Sequence, residues 1–243
     1  MTRTKGCRVD KGLANTPNRP SITGANPITF QKPKRKDRGK QNCQKSYMNG
    51  FYDTNAEKFL QDTQNVDMSS LRDRFLAAVP KTYTGSSRIL DAGTGSGRDA
   101  RSFYLAGYET EAFDASPSMV RAATDFSDLP VRQMRFEDFE WEHSFEGIWA
   151  CASLLHVARD DLSEVMRRLA DHLVSAGALY ASFKVGDGER QEAARHFTDM
   201  TEESFAALLD DCPSLRQVET WRTEDRRPDR KDDLWLNALM RKT

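Results

Sequence analysis

The ten residues Ile89-Leu90-Asp91-Ala92-Gly93-Thr94-Gly95-Ser96-Gly97-Arg98 constrain this chain more than any other stretch. An apolar run ends in a carboxylate and passes through three alternate glycines into a helical residue pattern. Glycine takes up left-handed backbone at no steric cost and lets main chain approach a ligand closely. Strand, tight turn and helix in this order are half of a parallel β-α-β unit, so an α/β fold is expected. The spacing is G-x-G-x-G followed by Arg98, not the G-x-G-x-x-G of dinucleotide-binding turns, which disfavours an NAD site.

The rest of the chain from Tyr47 onward keeps the same alternation. Phe51, Tyr52, Ala56, Phe59 and Leu60 recur at helical spacing. Leu71, Phe75, Leu76 and Val79 mark a second helix, capped by Ser69 or Ser70 and ended by Pro80. The helix from Arg98 is expected to stop at Gly107, with a second strand over 109–113. Ser116-Pro117 reads as N-cap and first residue of a helix that turns Met119, Val120 and Ala123 inward. Strands are expected near 131–136, 147–152 and 178–183, with a helix over about 160–174 before the last of them. A polar, glycine-containing loop and a helix over 201–209 follow. Two late strands, 217–223 and 234–240, are expected to form an antiparallel hairpin at the sheet edge.

Charge divides the chain just before Tyr47. Residues 1–46 carry 12 Lys/Arg against Asp10 and Asp37, net +10, whereas residues 47–243 carry 24 against 35 acids, net -11. The first segment has too few large apolar residues to bury a core, so it reads as a disordered basic tail on a domain spanning 47–243. Three readings of the tail stay open: a solvated extension, a phosphate-backbone binder working through the run around Lys32 to Lys40, or a segment preceding a natural start at Met48. No apolar run approaches the roughly 18 residues that span a bilayer, and the first residues do not resemble a secretion signal, so a cytoplasmic protein is expected. Cys7, Cys43, Cys151 and Cys212 form no Cys-x-x-Cys pair and have no histidine at ligand spacing, so reduced thiols and no metal site are expected. Nothing in the sequence sets the oligomeric state.

The ligand is constrained by two acids. Asp91 beside the glycine turn would repel a pyrophosphate but suits an ammonium group. Asp114 closes the second strand 23 residues later, near the offset at which doubly wound folds place a ribose-binding carboxylate. An amino-acid moiety near Asp91 and Gly93 and a ribose at Asp114 together describe S-adenosylmethionine.

The stretches ILDAGTGSGRDA and AFDASPSMV, within residues 89–120, resemble the class I S-adenosylmethionine-dependent methyltransferases. The likeness continues through residues 145–157 and 177–183, and the order of elements from Tyr47 to the end fits the family. It implies a doubly wound, Rossmann-like sheet of seven mostly parallel strands with an antiparallel edge hairpin, preceded by N-terminal helices. It also implies that Asp91, Gly93 and Gly95 hold the methionine part, Asp114 the ribose, and Ala115 and Met119 the adenine. After the third strand, where relatives often place an Asp for the adenine amino group, this chain has Phe136-Glu137-Asp138, so Phe136 and Glu137 enter the adenine site without a decision between acids. Tyr52 resembles an aromatic that closes over the cofactor, and Ala152 would sit beside the sulfonium.

The acceptor is less determined. After the fourth strand the chain reads Ala152-Ser153-Leu154-Leu155-His156, with neither the Asn/Asp-Pro-Pro-aromatic loop of base amino methylation nor a Pro-Cys nucleophile. His156 is the candidate general base, with simple orientation of the loop as its alternative. The loop after the fifth strand resembles that of tellurite-resistance-type and other small-molecule methyltransferases, and Lys184, Arg190 and Arg195 in it are candidates to bind an anionic substrate. Methyl transfer to a small molecule is therefore the expected function. RNA methylation supported by the basic tail, and a non-catalytic cofactor-binding module, are the alternatives.

Overall fold

The computed structural model describes residues 51–243, apart from Asp53, Tyr83, Thr84, Pro228, Asp229 and Lys231. The basic tail, and every expectation placed on it, lies outside the described residues. Two helices come first, α1 over 54–63 and α2 over Ser69–Ala78. Neither Ser69 nor Ser70 caps α2: its N-cap is Met68, and Asp67 accepts the Ser69 N–H at 2.8 Å in the position foreseen for a serine. The alternating units follow as β1 (Arg88–Ala92), α3 (Arg98–Leu105), β2 (Glu109–Asp114), α4 (Pro117–Ser127), β3 (Val131–Gln133), β4 (Phe145–Ala150), α5 (Arg159–Asp171) and β5 (Leu173–Lys184). Ser116 caps α4 as expected, its Oγ accepting the Met119 N–H at 3.3 Å.

The seven-stranded sheet runs β3-β2-β1-β4-β5-β9-β8, where β8 (Leu215–Glu224) and β9 (Leu234–Lys242) are the late hairpin. Strands β1 to β5 pair in parallel and β9 runs antiparallel to both β5 and β8. No helix among the described residues is long and apolar enough to cross a membrane.

Alternation along β1 divides the core. Ile89 points to a cluster with Phe75, Phe103, Trp149 and Tyr180, while Leu90 and Ala92 point to a larger one with Phe113, Leu169 and Phe183. This is the period-two consequence of a strand covered by helices on both faces. Strand β3 is shorter than expected, because Phe136 lies in a 3₁₀ turn over Phe136–Asp138 instead of continuing the edge strand.

The segment after β5 is not a loop. It forms a two-stranded antiparallel ribbon of β6 (Gly188–Glu192) and β7 (Arg195–Asp199), followed by α6 (Glu202–Asp210). Ala193 and Ala194, the two residues joining the strands, both have positive φ, 49° and 63°. Two-residue hairpin turns that match the strand twist need this backbone, and Asn-Gly supplies it without the penalty an L side chain with a Cβ incurs. The pair Ala193→Asn with Ala194→Gly is expected to stabilise the protein by about 1–2 kcal/mol, raising Tm by roughly 2–8 °C. Calorimetric melting checks it; an unchanged or lower Tm would show that the turn carries no such strain.

Candidate active site

At the β1/β4 boundary the strand order reverses, and the carboxyl ends of the strands open there into a crevice, as in other doubly wound sheets. The crevice is a cavity of about 240 Å³ that extends from the glycine turn to β7 and the β8–β9 connection.

Its first wall is the glycine turn. Gly93, Gly95 and Gly97 all have φ in the left-handed region, 74°, 56° and 76°. Space forbids a side chain at two of them as well: a Cβ on Gly93 would lie 2.6 Å from the Ser153 Cβ, and one on Gly97 2.9 Å from the Ala123 backbone. Beneath the turn, Asp91 is buried and its Oδ2 accepts from Thr94 Oγ1 at 2.6 Å and the Ala100 N–H at 3.0 Å. Burial, and then the negative charge of Asp99, push its carboxyl up to about 7. A positive group entering above it would restore the ionised form.

Asp114, at the end of β2, accepts the Gly95 N–H at 2.9 Å and the Ser116 N–H at 2.9 Å, one on each oxygen. The carboxylate thus ties the turn to β2 and borders the cavity with Ala115 and Met119. The Phe136 ring lines the same wall. Glu137 is not brought there: its carbonyl accepts from Arg168 Nη1 at 2.8 Å, which holds the backbone toward α5, and its side chain does not border the cavity. Asp138 pairs with Arg135 at 3.2 Å. Of the residues expected near an adenine after β3, the structure therefore offers an aromatic face and neither acid.

The far wall begins where β4 ends. Ala152 holds a left-handed φ of 51° and donates its N–H to Ser182 Oγ at 2.8 Å, while Ser153 Oγ donates to the Ala92 carbonyl at 2.7 Å. A non-glycine residue in this conformation costs of order 1–3 kcal/mol and is held by its surroundings. Cys151 is packed beneath, and burial pushes its thiol up to about 12, which leaves it un-ionised and a poor nucleophile.

His156 and Tyr52, 104 residues apart, meet across the cavity mouth. His156 Nδ1 lies 2.7 Å from the His196 carbonyl, which only accepts, so Nδ1 carries the proton and Nε2 is left to accept from Tyr52 Oη at 2.9 Å. Burial lowers the imidazole to about 4. His156 is consequently neutral at physiological pH and orients the Tyr52 phenol, a different part from the stand-alone base its type suggests. Burial also raises the Tyr52 phenol, against the opposing charge of Arg195.

The three cations foreseen for the substrate separate. Arg195 lines the cavity with Phe197. Lys184 borders it too, but its ammonium is paired with Asp233 at 2.8 Å. Arg190 does not line the cavity: Asp199, at 2.6 Å, and Glu192 hold it beside the Phe197 ring, its cross-strand partner. Among the described residues no group of His, Cys, Asp and Glu is arranged to hold a metal.

Sequence reasoning missed the β8–β9 contribution. Asn237 is buried in β9, accepts from Tyr180 Oη at 2.6 Å and donates to Thr223 Oγ1 at 3.0 Å. Asp225 accepts from Trp235 Nε1 at 3.1 Å and from Arg227 Nε at 2.9 Å, and these residues close the cavity's outer end. An Asn in the middle of the apolar run Leu234 to Met240 was the available signal.

Residues 89–177, which hold the turn and both acids, match the family model described as a methyltransferase domain. That model spans 89 of the chain's 243 residues. No curated protein matches the chain. Among solved structures it is similar to 1,6-didemethyltoxoflavin-N1-methyltransferase of Burkholderia thailandensis, bound to 1,6-didemethyltoxoflavin and S-adenosylhomocysteine, with TM-score 0.66, 21% identity and coverage of 88% of this chain and 93% of that one. It is also similar to magnesium protoporphyrin IX methyltransferase of Synechocystis PCC 6803 with bound S-adenosylhomocysteine, with TM-score 0.64, 13% identity and coverage of 82% and 100%. A [4+2]-cyclase, SpnF, shares the fold at TM-score 0.56, 16% identity and coverage of 71% and 80%. The chain thus shares its fold with proteins of different reactions, and the residues of the crevice set which one a given chain performs.

Proposed function

We propose that this chain transfers a methyl group from S-adenosylmethionine to a small-molecule acceptor, and that within the class it stands with the small-molecule enzymes of the tellurite-resistance type. The observation that carries this reading is one cavity with two unlike walls. Asp91, the glycine turn and Asp114 offer a carboxylate for an ammonium, close-approach backbone and a carboxylate for a ribose. Tyr52, His156 and Arg195 face them from α1's approach, the turn after β4 and β7.

The residues present fit that cofactor. When bound, S-adenosylmethionine supplies an electrophilic methyl group that is displaced in line. The chain's own work is placement and exclusion of water, the larger part of catalysis for such a displacement. Tyr52 points its proton at His156 Nε2, so its oxygen, which also neighbours Arg195, faces an acceptor O–H or N–H as a hydrogen-bond acceptor. Phe59, whose ring is 3.3 Å from where a Gly95 Cβ would stand, covers the glycine turn from α1. A small acceptor agrees with the negative charge of residues 47–243, which repels phosphate backbones.

Asp114→Ala is expected to weaken S-adenosylhomocysteine binding by on the order of 1.5–3 kcal/mol, roughly tenfold to a hundredfold, through loss of charge-assisted hydrogen bonds. Titration calorimetry tests it, and an intact protein that binds neither S-adenosylmethionine nor S-adenosylhomocysteine would refute the reading. Labelled-methyl transfer into fractionated cell extract tests the acceptor class. Label in RNA that falls steeply with salt and vanishes on deletion of residues 1–46 would favour the alternative, in which the net +10 of that segment supplies backbone affinity.

A further inference from the structure

Cations lining the cavity are almost all engaged with oxygen. Arg98 is held by Asp99 at 2.6 Å, Lys184 by Asp233 at 2.8 Å, Arg227 by Asp225, and Arg226 by Ser70 Oγ at 2.6 Å. Arg195 differs. Its guanidinium lies 4.3 Å from the Phe51 ring centre and 5.0 Å from that of Phe197, with the Tyr52 phenol as its polar neighbour. No carboxylate among the described residues lies within 4 Å of it, although residues 47–243 contain 35 acids, and its Nε is shut from solvent without a hydrogen-bond partner. An aromatic neighbour satisfies the face of a guanidinium; in its plane Arg195 meets the neutral Tyr52 phenol and no carboxylate among the described residues, while its unmet buried Nε donor is costly. The guanidinium fork matches the two oxygens of a planar acid.

We propose that the acceptor carries an anionic, planar oxygen group, a carboxylate or an acid of like shape, which docks on the Arg195 guanidinium beside the Phe197 ring. The proposal rests on the reading of the cavity given above and adds the substrate class: an acidic molecule with a flat apolar body. The aromatic surroundings favour such a body. Phe197 is flanked by Arg195, Arg190 at 4.5 Å and Lys184 at 5.9 Å, and the last two keep their carboxylate partners. Local positive potential at this ring admits an anion that the acidic domain would otherwise turn away. Arg195 reaches this position because β7 follows the Ala193-Ala194 turn directly, and the same strand supplies the His196 carbonyl that holds His156.

The test uses the full chain saturated with S-adenosylhomocysteine and three acid probes, benzoate, 2-naphthoate and indole-3-acetate, each paired with its neutral carboxamide. At least one acid is expected to bind tenfold or more tighter than its amide by calorimetry. Arg195→Gln should reduce that preference to within threefold, and Arg195→Lys, which keeps the charge but loses the fork, should fall between. S-adenosylhomocysteine affinity should stay within threefold in both variants. Acids and amides that bind alike, or a preference that survives Arg195→Gln, would overturn the proposal. A tenfold loss of S-adenosylhomocysteine binding in Arg195→Gln would also overturn it, by assigning Arg195 to the cofactor's own carboxylate. Failure of the unaltered protein to bind S-adenosylhomocysteine is a separate result that removes the underlying reading and the proposal with it.

Discussion

Asp91→Asn is expected to stabilise the ligand-free protein above pH 7 and to lower S-adenosylhomocysteine affinity about a hundredfold. Burial and the nearby Asp99 push the Asp91 carboxyl from 3.8 up to about 7, so between those values the folded protein holds a proton that the unfolded chain has released. Stability from this group is fully present below about pH 4 and is lost as pH rises through about 7. An asparagine is neutral throughout. Both hydrogen bonds that Asp91 accepts land on Oδ2, so the amide can keep them on its own oxygen and turn its NH2 toward the cavity. The expected gain at pH 8 is about 2 kcal/mol, or roughly 4–8 °C in Tm, vanishing near pH 4. The binding loss follows from removing the charge that pairs with an ammonium, on the order of 3 kcal/mol. In the unaltered protein the same ionisation makes S-adenosylhomocysteine bind more tightly at pH 8 than at pH 6. Melting curves and calorimetry at both pH values check the pair of effects. A variant that is less stable at pH 8, or that binds as before, would show that Asp91 does not store its cost for the ligand.

The largest stability loss is expected from Asp99→Asn. This buried carboxylate accepts from Arg72 Nη1 at 2.8 Å, Arg98 Nη2 at 2.6 Å and Trp149 Nε1 at 3.1 Å. Burial alone would raise its pKa; the Arg98 and Arg72 charges and hydrogen bonds reverse that and hold it below the usual carboxylate range. Removing its charge leaves two mostly buried guanidiniums uncompensated, which costs about 3–5 kcal/mol when one partner of a buried pair is lost. Urea unfolding should register it, with Tm lowered by roughly 6–20 °C. The variant should also move the pH dependence of S-adenosylhomocysteine binding to lower pH, because Asp99 is the second cause of the raised Asp91 carboxyl. A loss under about 1 kcal/mol would place the cluster with exposed ion pairs, which contribute little. The network gives α2 a second role beside the place of Leu71 in the cavity wall: Arg72 anchors the underside of the glycine turn from that helix.

What the sequence determined by itself is what short-range physics dictates. Three glycines in left-handed conformation, Ser116 capping α4, two acids closing β1 and β2, and alternating apolar runs all act within a few residues. They were legible as a turn, a cap and a parallel sheet with an antiparallel hairpin. Only the tertiary structure decided who meets whom. It buried His156, which keeps the histidine neutral, and joined it to Tyr52, whose oxygen rather than the imidazole nitrogen is left to face the cavity. It drew Arg190 to Asp199 and Glu137 back toward α5, leaving Arg195 and Phe136 in the cavity. It inserted β9 between β5 and β8, so that Asn237 and the Asp225–Arg227 pair close the cavity's outer end. Dihedral preference and hydrophobic period are local, so a single chain displays them; the partner of a charge or a ring is set by packing between segments that lie from nine to more than a hundred residues apart, where many equivalent arginines and aspartates compete and only the folded geometry selects among them.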